Sequence, residues 1–129
     1  MGIQTSIIAR DAELAALADL AKGGRLMIYS DPRPVGPESA ATGTLLANLG
    51  LGSFDRPQQG VLRVKSIEPD ANSKGSGRAS WFRVTAKDGK TALWDGSVGT
   101  SDADLIFSNV QFYQGSIVRV ESFTYSLPR

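Results

Sequence analysis

The chain predicts a mainly β, single-domain fold, an antiparallel β-sandwich or jelly-roll-like barrel led by one N-terminal amphipathic α-helix. Three observations carry that expectation. The 129 residues match one ordinary domain. The second half runs as short apolar segments with period-two alternation, separated by Gly, Asp, Asn and Pro. Only one stretch, at residues 10–22, spaces its apolar residues as a helix does. Several short strands at regular spacing with a single helix suit a sandwich or barrel better than an α/β fold.

The helix is expected over 10–22, with Leu14, Leu17, Ala18 and Ala21 on one face and Arg10, Glu13 and Lys22 at the other. Asp11 and Glu13 fall early, where they favour the positive end of the helix dipole, and Gly23-Gly24 supplies a left-handed stop. About three turns are marginal in isolation, so the helix must dock. Residues 1–9 read as an N-terminal arm ahead of a single domain at 10–129. Its Ile3, Ile7 and Ile8 are apolar and have no evident place in a small core. They fit either a plain extension of the first element or an arm that reaches a neighbouring subunit.

A strand at 25–30 follows, then three prolines within residues 31–37, which fix an extended and exposed loop. Residues 44–51 alternate Leu45, Ala47, Leu49 and Leu51 and read as a strand, although leucine and alanine also favour helix. Strands are expected at 61–67 and 79–86. The polar 68–77 stretch between them, with Lys74, reads as a mobile surface loop. Asp88-Gly89 is the strongest hairpin signal, suited to a tight primed turn, with a partner strand at 91–94. Further strands are expected at 104–108, 110–113 and 116–127. The last slips phase between Val120 and Phe123, which calls for a β-bulge near Glu121 or Ser122.

Composition excludes several kinds of chemistry. The chain has no histidine and no cysteine, which removes the commonest general base near neutral pH and the most nucleophilic side chain. Carboxylate pairs or a Ser-Lys dyad remain conceivable, but no motif for either is present, so the expectation is a protein that is not an enzyme and uses no cofactor. Asp95, Asp102 and Asp104 form the densest acidic group, and the spacing is that of a strand connection rather than a calcium loop. The glycines never build a strand, glycine motif and helix of the phosphate-binding kind.

Fourteen basic and 13 acidic residues leave a net charge of +1, too little field to expect nucleic acid as a partner. Arg78, Arg83 and Lys87 beside Trp81 and Phe82 offer a weak counter-signal. No apolar run approaches the ~20 residues of a membrane helix, and residues 1–8 lack an export signal, so a soluble protein without a membrane partner is expected. Trp81 and Trp94 flank the Asp-Gly turn. They suit core packing, a cross-strand pair, or an exposed carbohydrate- or protein-binding face of an adhesion module.

The order of elements also carries a resemblance. The alanine-rich helix leads to Gly24-Arg25-Leu26-Met27-Ile28-Tyr29-Ser30, a Pro-rich loop, and Ala40-Ala41-Thr42-Gly43-Thr44-Leu45-Leu46-Ala47. Later come Gly77-Arg78-Ala79-Ser80-Trp81-Phe82-Arg83-Val84, Asp95-Gly96-Ser97-Val98-Gly99 and Ser122-Phe123-Thr124-Tyr125-Ser126-Leu127-Pro128. From about Asp11 onward this resembles small virion structural proteins of tailed bacteriophages and prophages. The resemblance implies a virion component made in the host cytoplasm, above all a capsid decoration or cement protein, and otherwise a tail or head-completion component. It implies as partners the major capsid protein or other virion subunits, and a homo-oligomer, with a trimer expected on three-fold axes. It carries over no catalytic residue. The residues expected to touch partners are Ile3, Ile7 and Ile8 of the arm, Arg33 and Val35 of the Pro-rich loop, and Lys74.

Overall fold

The computed structural model describes residues 6–120 and 123–126. The order is α1 (Ile7–Ala21), β1 (Arg25–Tyr29), β2 (Leu45–Leu51), β3 (Val61–Arg63), β4 (Ile67–Glu68), β5 (Gly77–Arg78), β6 (Trp81–Thr85), β7 (Ala92–Gly99), β8 (Leu105–Ile106), β9 (Gln111–Phe112) and β10 (Thr124–Ser126). The protein is mainly β with one helix, and its principal sheet curls into a half-barrel. That sheet runs β4-β2-β1-β6-β7-β8, and two-stranded ribbons, β10-β3 and β5-β9, accompany it. The pairs are antiparallel except β7 with β8, which is parallel, a feature the sequence did not announce.

Register sorts the side chains into two faces. Leu26 opposes Leu49 and Val84, and Ile28 opposes Ala47 and Phe82. These residues are fully or almost fully buried and form the inner face, together with Trp94 and Val98. Val64, Phe112, Val118 and Phe123 bring the ribbons and the segments beside them into the same core. The other face carries Met27, Tyr29, Trp81, Arg83, Thr85 and Asp95. All five residues of β6 are buried, so this central strand is covered on both sides.

The helix begins earlier than its spacing suggested. Ser6 is the N-cap, and its Oγ accepts a hydrogen bond from Ala9 N–H at 3.1 Å, so Ile7 and Ile8 lie in the first turn and not in an arm. Asp11 and Glu13 consequently fall beyond that turn, which contains no acid. Asp11 instead reaches out of the helix and accepts Gly60 N–H at 2.9 Å. The helix packs beside β3, with Leu14 and Arg10 buried and Leu17 against the core. Lys22 is the C-cap and Gly23 takes φ +76°, the left-handed stop that the glycine pair promised. Gly24 has no room for a side chain, since a Cβ there would stand 2.0 Å from Thr85 O.

Four further expectations change. The 61–67 strand divides into β3 and β4: Val64 bridges Phe54 and donates its N–H to Phe123 O, Lys65 N–H then donates to Ser53 O, and β4 pairs with β2 instead of β10. The 68–77 stretch is tied down rather than mobile. Asp70 Oδ2 accepts Asn48 N–H at 2.9 Å, Ser73 Oγ donates to Tyr113 O at 2.6 Å, and Lys74 N–H donates to Leu46 O at 3.1 Å. The Asp88 turn is not a two-residue primed turn: Gly89 N–H donates to Ala86 O, only Gly89 takes positive φ, and Ala86 N–H closes the loop on Thr91 O. Lastly, among the described residues the expected 116–127 strand reduces to a Val118 bridge with Asp70 and to β10. The bulge expected near Glu121 or Ser122 lies outside the described residues.

Trp81 and Trp94 do not pair across strands. Trp81 opposes Ser97 and Trp94 opposes Val84, which places the two rings on opposite faces, both buried.

Candidate functional site

The outer face of β6 and β7 builds a layered stack. Arg83 and Asp95 are opposite partners in register, and both side chains are buried. Arg83 Nε donates to Asp95 Oδ1 at 2.7 Å and Nη2 to Oδ2 at 3.1 Å, the two-point geometry that suits a planar guanidinium. The carboxylate bonded to it holds Arg83 above its ordinary pKa, against the opposing effect of burial. The same guanidinium lies 5.3 Å from the Trp81 ring centroid. Trp81 in turn stacks on Tyr29, its partner on β1, at 4.5 Å and 14°. Burial pushes the Tyr29 phenol above its ordinary range.

This stack fixes the Pro-rich loop. Arg83 Nη2 donates to Gly36 O at 3.4 Å, Trp81 Nε1 donates to Ser30 O at 3.2 Å, and Ser80 Oγ donates to Asp31 O. Within the loop, Thr42 Oγ1 donates to Pro32 O and Thr44 N–H to Ser30 Oγ, both at 3.0 Å. Gly43 closes the base at φ +86°, where a Cβ would stand 2.0 Å from Ser30 O. A segment that composition alone marks as irregular is thus held by side chains from the sheet beneath it.

Between the loop, the β7 edge and β10 lies a cleft of about 700 Å³. Arg33, Pro34, Val35 and Pro37 of the loop line it together with Val61, Thr124 and Ser126. Trp94 and Tyr125, with ring centroids 4.6 Å apart, also line it, as does Phe82. Burial raises the Tyr125 pKa. Asp104 stands at the end, where its Oδ2 accepts Ser97 N–H at 2.9 Å and Ser97 Oγ donates at 3.2 Å.

The structure therefore gathers Arg33 and Val35 at one cleft. Ile7 lies beside Gly60, the residue before Val61 of the cleft lining. Ile8 is 85% exposed and Val35 fully exposed. Lys74 belongs elsewhere, in a separate charged depression of about 350 Å³ with Arg25, Asn48 and Glu68. Ile3 lies outside the described residues. Of the acidic group, Asp95 and Asp104 both line the cleft, but Asp95 is paired with Arg83 and Asp104 accepts from Ser97, while Asp102 sits exposed with φ +50°. Of the basic and aromatic set, Arg83 stays beside Trp81 but is buried and committed to its pair with Asp95. Sequence reasoning missed the Arg83–Asp95 pair and Tyr125. The usable signal was a single charged residue within each of two mostly apolar strands, Trp81–Thr85 and Ala92–Gly99.

No protein-family model matches the chain, and comparisons with curated proteins and with solved structures find no match either.

Proposed function

We propose that this chain is a non-enzymatic structural component of a tailed-phage virion, a capsid decoration or cement protein that seats between capsid subunits. It is made in the host cytoplasm and ends in the virion, working as a homo-oligomer, with a trimer as the assembly that matches a three-fold seat. In the finer architecture we propose, the two ribbons form the second layer of a β-sandwich or jelly roll over the inner face of the curled sheet. The sharing of one core by Leu26, Phe82, Phe112 and Phe123 supports that arrangement.

The observation that carries the functional reading is the Pro-rich loop with Val35 at its tip. A fully exposed valine on a loop already bonded to Arg83, Trp81 and Ser80 is an apolar knob that loses little entropy on docking. Such preordering suits a protein whose work is contact, and repetition over a symmetric shell multiplies a modest contact through avidity. The adhesion alternative relied on an exposed tryptophan. With Trp81 at 1% and Trp94 at 7% exposure, neither offers a stacking platform.

Val35→Glu tests the reading. The variant should fold as the parent does and occupy purified shells about tenfold less tightly, the loss of one anchor residue. Unchanged occupancy would remove the loop from the interface.

A further inference from the structure

Asp31 combines features that meet at no other described residue. Its φ is +66°, in the left-handed region that is unfavourable for a side chain, and of the non-glycine residues found there, Asp31, Gln59 and Asp102, it alone precedes a proline. A proline ring favours extended backbone at the residue before it, so the conformation of Asp31 is imposed by its surroundings. Those surroundings hold the backbone on both sides. Trp81 Nε1 donates to Ser30 O at 3.2 Å and Thr42 Oγ1 to Pro32 O at 3.0 Å, while the carbonyl of Asp31 itself accepts from Ser80 Oγ.

Asp31-Pro32 is also the single Asp-Pro bond of the chain. An aspartate side chain can reach the carbonyl carbon of its own residue through a five-membered ring, and a proline nitrogen, part of a tertiary amide, leaves more readily than an ordinary peptide nitrogen. We infer that Asp31–Pro32 is a self-cleavage site, with the Asp31 carboxylate as nucleophile and the Ser80 hydroxyl as the donor that steadies the negative charge developing on Asp31 O. A carboxylate oxygen bonds to the Asp31 carbonyl carbon, and the C–N bond to Pro32 breaks as that nitrogen takes a proton from solvent and departs as a secondary amine. Water then opens the cyclic anhydride and leaves two carboxyl groups on Asp31. Net, one water is consumed and nothing is oxidised or reduced.

The fold favours this step in three ways. Nucleophile and carbonyl belong to one residue, so no encounter is required. The cut releases a backbone held in an unfavourable region. A hydroxyl is already placed on the oxygen that acquires charge. Water has access, since Asp31 and Pro32 are exposed and, with Ser30, Thr44 and Ser80, line an open depression of about 550 Å³. This depression shares no lining residue with the cleft beside Val35, and the inference does not rest on the virion reading. The cut separates residues 1–31, with α1 and β1, from residues 32–129. Because β1 lies between β2 and β6 and is bonded to both, the two pieces stay together in the folded protein.

The test follows the purified full chain by mass spectrometry during incubation at a weakly acidic pH at which its circular dichroism remains native. Residues 1–31 and 32–129 are the expected products, formed at least about tenfold faster than in the same buffer with denaturing guanidinium chloride. Asp31→Gly keeps the left-handed backbone, lacks the carboxylate and should not be cut. Ser80→Ala should slow the cut by about tenfold, and Ser80→Thr, which retains a hydroxyl, should restore it. Cleavage in the folded chain that is undetectable, or no faster than in the denatured one, overturns the inference. So does a Ser80→Ala protein of native circular dichroism that is cut at the parent's rate. Products that part without denaturant would contradict their retention in one body.

Discussion

Arg83 and Asp95 stand directly opposite each other on β6 and β7, both buried and joined by hydrogen bonds of 2.7 and 3.1 Å, and the same guanidinium reaches Gly36 O in the Pro-rich loop. One side chain thus links the sheet to the surface on which the functional reading depends.

Breaking this pair leaves a buried charge without its partner. Arg83→Met or Asp95→Ala alone should destabilise the fold by about 3–5 kcal/mol, whereas replacing both with apolar residues of matching volume should cost much less. Urea unfolding of the two single variants and the double variant measures the coupling.

The loop should respond separately from global stability. Gly43→Ala places a Cβ in the path of Ser30 O and forces a side chain onto φ +86°. Amides between residues 31 and 43 should then exchange faster with solvent, while core amides such as that of Leu49 keep their protection. Equal protection throughout would mean that the loop's base does not hold it.

Asp70 acts as a clamp, accepting Asn48 N–H through one oxygen and Asn72 N–H through the other. Asp70→Ala leaves those donors unmatched and should cost about 1–3 kcal/mol by denaturant unfolding. Faster hydrogen exchange across residues 70–77 should accompany the loss.

Asp88 gives the acid limb of stability an identifiable contributor. Its carboxylate accepts from Thr91 Oγ1, Thr91 N–H and Lys90 N–H, and these bonds lower its pKa from 3.8 to about 2, the Thr91 hydroxyl foremost. Folding lowers this pKa, so the stabilisation is complete above the unfolded value of 3.8 and disappears as pH falls to about 2. Asp88→Asn should flatten the pH dependence of unfolding in that window and leave the profile above it parallel to the parent's. A parallel profile within the window would exclude the contribution.

Much of the framework was legible because period-two burial is a local property. Leu26 with Ile28, and Phe82 with Val84, alternate in the sequence as they do in space. What escaped the sequence was long-range. Asp70 reads as a turn residue until β2 supplies Asn48 N–H, and the 68–77 segment reads as mobile until Tyr113 and Leu46 accept its hydrogen bonds. The helix start moved because Ser6, a cap by side-chain chemistry, precedes two β-branched residues that weaken the helical pattern. At the site, Arg33 and Val35 were visible as exposed loop residues. Their neighbours Thr124 and Tyr125 lie roughly ninety positions away, and no spacing rule connects them.

Cosedimentation of the purified protein with expanded phage capsids that lack it tests the central claim most directly. Saturable binding at a fixed ratio to the major capsid subunit, with no bound protein beyond that ratio, is the expected result. Failure to bind at every concentration at which the protein stays in solution would contradict it.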